Sequence, residues 1–203
     1  CGGTLLRHKH EGDEIHWLIM TKIKYDSSNE NIIKKREQQI EKVFAAYGFN
    51  SMHQANFFAT TLDALPKKEI IDVISSYFYK VEPNVIYLPY INDIHTDHQV
   101  VVDSTLSCVK SFRYPFVKKV CSYETVSETE FTIKKNTVFQ PNMWVDISDY
   151  LEKKLDIIQI YEDEIKEPPF PRSLKNLEAL ATFRGSTINA QSAEGFIILK
   201  EVI

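Results

Sequence analysis

The feature that most constrains this chain is an alternation. Short apolar runs of strand length are separated by longer segments whose apolar residues recur at helical spacing. "EIHWLIMT" (14–21) and "PNVIYLPY" (83–90) are the clearest runs. "SNENIIKKREQQIEKVFAAYGF" (28–49) places Ile32, Ile33, Ile40, Val43, Phe44 and Tyr47 mostly at helical spacing, and Gly48 stops it. "LPKKEIIDVISSYFYKV" (65–81) is a second helix, with Pro66 at its start. Before these, Thr4 is expected to cap a helix that ends near Gly12. The run 14–21 is dense enough in apolar residues to be a strand buried on both faces. Helix and buried strand in alternation specify an α/β fold.

The texture changes beyond Arg113. "FVKKVCSYET" (116–125) and "EFTIKKNTVFQP" (130–141) read as strands, "ISDYLEKKLDIIQIYEDEI" (147–165) as a long amphipathic helix, and "EPPFP" (167–171) as a break. "SLKNLEALATFRG" (173–185) is a further helix and "EGFIILKEV" (194–202) a closing strand. There is no internal repeat or long linker. The expectation is one α/β domain over 1–203, Rossmann-like and three-layered, with a mostly parallel sheet and a more antiparallel C-terminal part.

Charge and composition exclude some functions. A net charge of −4, with no Lys/Arg stripe interleaved with aromatics, argues against nucleic acid as a partner. The apolar runs are far short of the roughly 20 residues of a membrane span. Cys1, Cys108 and Cys121 are an odd count without CxxC spacing, so neither a disulfide framework nor a thiolate metal cluster is indicated.

The chemistry concentrates in "YINDIHTDHQVV" (90–101), just past the run 83–90 and at the start of the helical segment "HTDHQVVVDSTLSCVKSF". In open α/β sheets ligands bind outside the carboxyl ends of strands. His95 and His98, three residues apart, project from one helix face and could supply one or two of the three protein ligands of a catalytic zinc. Asp97 could accept the second N–H of a ring and orient it. A helix start also attracts Asp and His for capping alone, and the string by itself leaves both readings open.

Taken in order, several blocks resemble the PIG-L/LmbE-like zinc-dependent N-deacetylases. They are "CGGTLLRHKHEGDEIHWLIMT", "KREQQIEKVFAAYGF", "LDALP", "PNVIYLPYINDIHTDH", "FQPNMWVDIS", "PFPRSLKNLEALATFRG" and "SAEGF". The similarity runs from Cys1 to about Ile198. It implies a hydrolase that removes acetyl from an N-acetylglucosamine-type sugar or glycoconjugate. The alternatives are a metal-dependent amidase on a thiol-sugar conjugate or glycoside, and a noncatalytic sugar-binding member.

By that resemblance His98 is the metal ligand, and His95 faces the substrate carbonyl as a protonated oxyanion donor. Asp97 orients a histidine, and Arg36 and Asp63 contact the sugar. The cofactor implied is zinc, with another divalent metal as the alternative. The family's His-Pro-Asp-Asp-Glu motif, which carries two further ligands and the general base, lies immediately before its Cys-Gly-Gly and is absent from this chain. The natural start is therefore expected upstream of Cys1, and the chain as written is expected to bind zinc weakly. The implied partner is an N-acetylated amino sugar or glycoconjugate, in the cytoplasm. A homo-oligomer is left open.

Overall fold

The computed structural model describes residues 1–133 and 138–203. The elements follow the order α1 (Gly2–Glu11), β1 (His16–Lys22), α2 (Glu30–Tyr47), β2 (Ser51–Phe58), α3 (Lys67–Val81), β3 (Val85–Pro89), α4 (Thr96–Ser107), β4 (Lys119–Tyr123), β5 (Met143–Asp146), α5 (Leu151–Ile158), α6 (Leu174–Ser186) and β6 (Ala193–Glu201). Strands β1 and β2 form a parallel pair. A second, mixed sheet has the order β3-β4-β6-β5. In it β3 pairs parallel with β4, Val85 opposite Lys119, and β4 pairs antiparallel with β6 across a register shift at Val120/Cys121. The expected α/β class, with antiparallel pairing confined to the C-terminal part, is what the chain adopts.

The chain divides into two compact units. One comprises Cys1–Trp17, Ile23–Met52 and Trp144–Gly195, and the other Leu18–Lys22, His53–Met143 and Phe196–Ile203. In the second, α3 presents Ile70, Ile74 and Phe78 to a cluster with Leu62, Ile86, Leu88, Val102, Val117 and Val120. The spacing i, i+4, i+8 puts the three on one stripe. Each buried Ile or Phe contributes about 1.5–3 kcal/mol. This cluster packs α4 and β3 together and so fixes the segment that joins them.

In the first unit the two predicted glycine stops hold. Gly12 (φ 91°) and Gly48 (φ 66°) close α1 and α2 in the left-handed region, where a Cβ is strained. Gly3 is required for a different reason. A Cβ there would lie 2.8 Å from three atoms of the buried Ile147.

Four sequence expectations need correction. Thr4 does not cap α1: it sits inside the first turn, buried, and its hydroxyl donates to Glu194 at 2.7 Å. A distant carboxylate has replaced the local cap. No residue of β1 is fully buried, although Leu18 and Met20 pack on the apolar cluster. The helix expected over 147–165 is shorter because the Asp146 carboxylate accepts from Ser148 N (2.9 Å) and Ser148 Oγ (2.6 Å), holding a turn, and because residues 159–161 tighten into a 3-10 turn. Of the strand expected over 130–141, residues 134–137 lie outside the described residues. Its described flanks are not strands, and Ile133 and Val138 are 95% and 81% exposed.

Candidate metal and catalytic site

Strand β3 ends at Pro89, and the chain leaves the sheet through 90–94 before entering α4. The turn is tight, with Asp93 N donating to Tyr90 O at 3.0 Å. Gln99, in the first turn of α4, donates its side-chain N–H to Asp93 O at 2.6 Å and ties helix to turn. His95 is the N-cap of α4. Its backbone is extended (φ −71°, ψ 119°), and its Nδ1 accepts the Asp97 main-chain N–H at 3.2 Å. An imidazole thus takes the place usually held by a Ser or Asp oxygen.

His98 follows three residues later on the same face, as the spacing predicted. The two rings stack with centroids 4.9 Å apart and planes 17° from parallel. His98 Nδ1 lies 2.8 Å from Asp93 Oδ2, and Asp93 is fully buried. The other Asp93 oxygen accepts the Thr129 hydroxyl at 2.5 Å. Burial and the Asp93 charge push the Tyr123 phenol up to about 12, so it stays protonated at neutral pH.

Asp97 takes a different partner from the one expected. Its buried carboxylate accepts Thr60 N at 2.6 Å and Leu62 N at 3.1 Å, and the carboxylate on a histidine ring is Asp93's. What Asp97 gives His95 is its main-chain N–H, not its carboxylate. Its side chain meanwhile ties the start of α4 to the 3-10 turn Leu62–Ala64. That turn carries Asp63, which is exposed. Arg36, in α2 of the other unit, is paired with Glu164 and lies 5.0 Å over the Tyr161 ring.

Asp93 is the residue sequence reasoning passed over. Its signal was present: an acidic residue in the loop between strand end and helix, five positions before a candidate ligand. Thr129 had none, since nothing in the sequence links it to 93.

Among the described residues one group of three could in principle hold a metal ion, His8, Glu11 and Asp13, with their ligand atoms within 4.8 Å of one another. Its members already satisfy each other and their neighbours. His8 Nδ1 is 2.7 Å from Asp13 Oδ2, and Glu11 accepts from Arg7 Nε at 2.9 Å. Arg7 and Glu11 form an i, i+4 pair, and His8, Lys9 and His10 in the last turn of α1 suit a helix carboxyl end.

His98 fits a metal differently. One nitrogen is engaged by a buried carboxylate, the usual backing of a ligating histidine, and 29% of the side chain stays accessible. The chain therefore offers a donor chemically suited to zinc, but one donor is not a site.

Residues 1–109 match the model of the PIG-L family, described as GlcNAc-PI de-N-acetylase. Three solved structures share the fold. A conserved protein from Thermus thermophilus, TT1542, aligns at TM-score 0.78 and 21% identity, over 100% of this chain and 89% of that one. N,N'-diacetylchitobiose deacetylase from Pyrococcus horikoshii, complexed with an inhibitor, aligns at 0.75 and 21%, over 98% and 78%. GalB, the 4-carboxy-2-hydroxymuconate hydratase from Pseudomonas putida, aligns at 0.75 and 14%, over 100% and 91%. A deacetylase and a hydratase on one fold mean that the fold alone does not select the reaction.

Proposed function

The chain belongs to the PIG-L family, and on that premise we propose that it is a zinc-dependent hydrolase removing acetyl from an N-acetylglucosamine-type sugar or glycoconjugate. The observation that carries the reading is the histidine pair at the start of α4, one ring backed by a fully buried carboxylate and the other held by a main-chain N–H.

In this reading His98 holds the metal through Nε2, the nitrogen that Asp93 leaves free. Bound zinc would lower the pKa of a coordinated water from about 16 toward about 7 and polarise an amide carbonyl. His95 supplies the donor for the oxyanion. With Nδ1 taken by the Asp97 N–H, the proton it can offer is on Nε2. Removing a donor of this kind costs about 3–4 kcal/mol in other enzymes. Asp97 positions both the helix start and the turn that carries Asp63, which we assign to the sugar hydroxyls. Arg36 is assigned to the substrate on the resemblance alone.

The test separates ligand from donor. In the intact protein His98→Ala is expected to lose stoichiometric zinc and deacetylation together, whereas His95→Ala keeps the metal and loses turnover. A His98→Ala protein that bound zinc normally and deacetylated a GlcNAc substrate would refute the assignment.

A further inference from the structure

A hydrogen-bond chain runs into His98 from the turn 125–129, and each of its links has a fixed polarity. The Thr125 main-chain N–H lies 2.7 Å from Thr129 Oγ1. A main-chain amide only donates, so Thr129 Oγ1 accepts there. Its single hydroxyl hydrogen then goes to Asp93 Oδ1 at 2.5 Å. A carboxylate only accepts, so the 2.8 Å contact between Asp93 Oδ2 and His98 Nδ1 requires the proton on Nδ1. What remains is the Nε2 lone pair.

The loop is itself well held. Thr129 N and Glu128 N both donate to Thr125 O, at 2.9 and 3.1 Å, and Ile94 N donates to Glu128 O at 3.3 Å, next to Asp93. Thr129 is buried, as is Asp93.

We propose that the 125–129 turn, acting through Thr129 and Asp93, is a one-way relay that fixes the tautomer of His98 and presents Nε2 as its ligand atom. Thr129 and Asp93 are thus positioning residues. The proposal rests on His98 being the metal ligand, and it adds what selects the ligating nitrogen and the remote segment that does so. A histidine without such backing would divide between two tautomers, and only one leaves Nε2 free.

The decisive measurement needs no metal. Long-range 1H–15N correlation spectra of the metal-free protein, above the pH at which its rings titrate, report which nitrogen of His98 carries the proton. The expected result is Nδ1–H with an unprotonated Nε2. In Asp93→Asn the Thr129 hydroxyl still claims the amide oxygen, which turns the amide N–H toward Nδ1. The ring should then switch to Nε2–H, and zinc affinity in the intact protein should fall about 10- to 100-fold.

Thr129→Val removes one hydroxyl at nearly constant shape: Asp93 still accepts from Nδ1–H but is no longer held in place, so the Nδ1–H signal of His98 should broaden by faster exchange with water, while Thr129→Ser should match the unaltered protein. This pair decides the matter even if Asp93→Asn does not fold. Nε2–H in the unaltered protein, Nδ1–H retained in Asp93→Asn, or a Thr129→Val spectrum identical to that of Thr129→Ser would each overturn the relay. The two readings fail separately. Nδ1–H in a protein that binds no zinc would sink the metal assignment and leave the relay standing, whereas Nε2–H in a protein that binds zinc through His98 would do the reverse.

Discussion

Two buried carboxylates, Asp93 in one unit and Glu194 in the other, are put to opposite uses. Glu194 accepts Gly3 N (3.1 Å), Thr4 N (2.8 Å), the Thr4 hydroxyl (2.7 Å) and Lys154 Nζ (2.8 Å). Burial pushes its carboxyl up. The Lys154 ammonium and the hydrogen bonds from Lys154 and Thr4 outweigh that and hold it well below the usual carboxylate range. Every partner is spent on Glu194, and the product is a clamp on the first turn of α1. Asp93 is as deeply buried, but its partner is an imidazole with a second nitrogen to offer. Burial of an acid therefore does not separate the two; the second nitrogen left on the partner of Asp93 does.

The contrast predicts where substitutions should act. The largest stability effect is expected at Glu194. Glu194→Gln leaves the Lys154 ammonium, 15% exposed, beside a neutral amide and should cost about 3–5 kcal/mol in urea unfolding. A loss below about 1 kcal/mol would break the comparison, since Glu194 would then be no clamp.

The same group shapes the acid limb. Its folded pKa lies below the unfolded one, so its contribution is complete above the ordinary carboxylate value of about 4.3 and is lost as pH falls from there through the depressed folded value. Unfolding followed from about pH 6 down to about pH 2 should show a steep loss in the unaltered protein and a shallower one in Glu194→Gln.

Smaller effects sharpen the picture. Gly3→Ala drives a methyl into Ile147 beside the clamp and should cost about 1–3 kcal/mol by thermal or urea unfolding. Asp97→Ala leaves Thr60 N and Leu62 N without their acceptor, and about 1–3 kcal/mol is expected, with turnover also falling because the turn that carries Asp63 is released from the start of α4. The smallest change is Ser173→Ala. It removes the side-chain cap of α6 on Asn176 N (3.2 Å) and should cost about 1 kcal/mol without touching zinc binding. Loss of metal in that variant would mean that the two functions of the molecule are not separable in the way the two carboxylates suggest.

Much of this was legible beforehand, and unevenly so. Gly12 and Gly48 announced the ends of α1 and α2, and Pro66 the start of α3, because each restricts its own backbone dihedrals whatever surrounds it. The facing of His95 and His98 followed from helical spacing. The errors came where a local preference met a distant competitor. Thr4 suits a cap, yet Glu194, 190 residues away, took its hydroxyl into the body of the helix. Asn142 likewise takes distant partners, donating its main-chain N–H to Phe196 O (2.9 Å) and accepting Ile198 N at its side-chain oxygen (2.8 Å).

The sequence by itself determined the α/β class, the ends of α1 and α2, the start of α3 and the histidine pair. These depend on periodicity and on steric limits that act over a few residues, and such effects are written in the local string. Only the tertiary structure decided which acid backs which base: Asp93 behind His98 rather than Asp97, Thr129 behind Asp93, Glu194 on α1. A buried carboxylate must be hydrogen-bonded. Which donors meet it depends on the segments that burial of the apolar faces brings together, and pairings across 36 or 190 residues leave no trace in spacing.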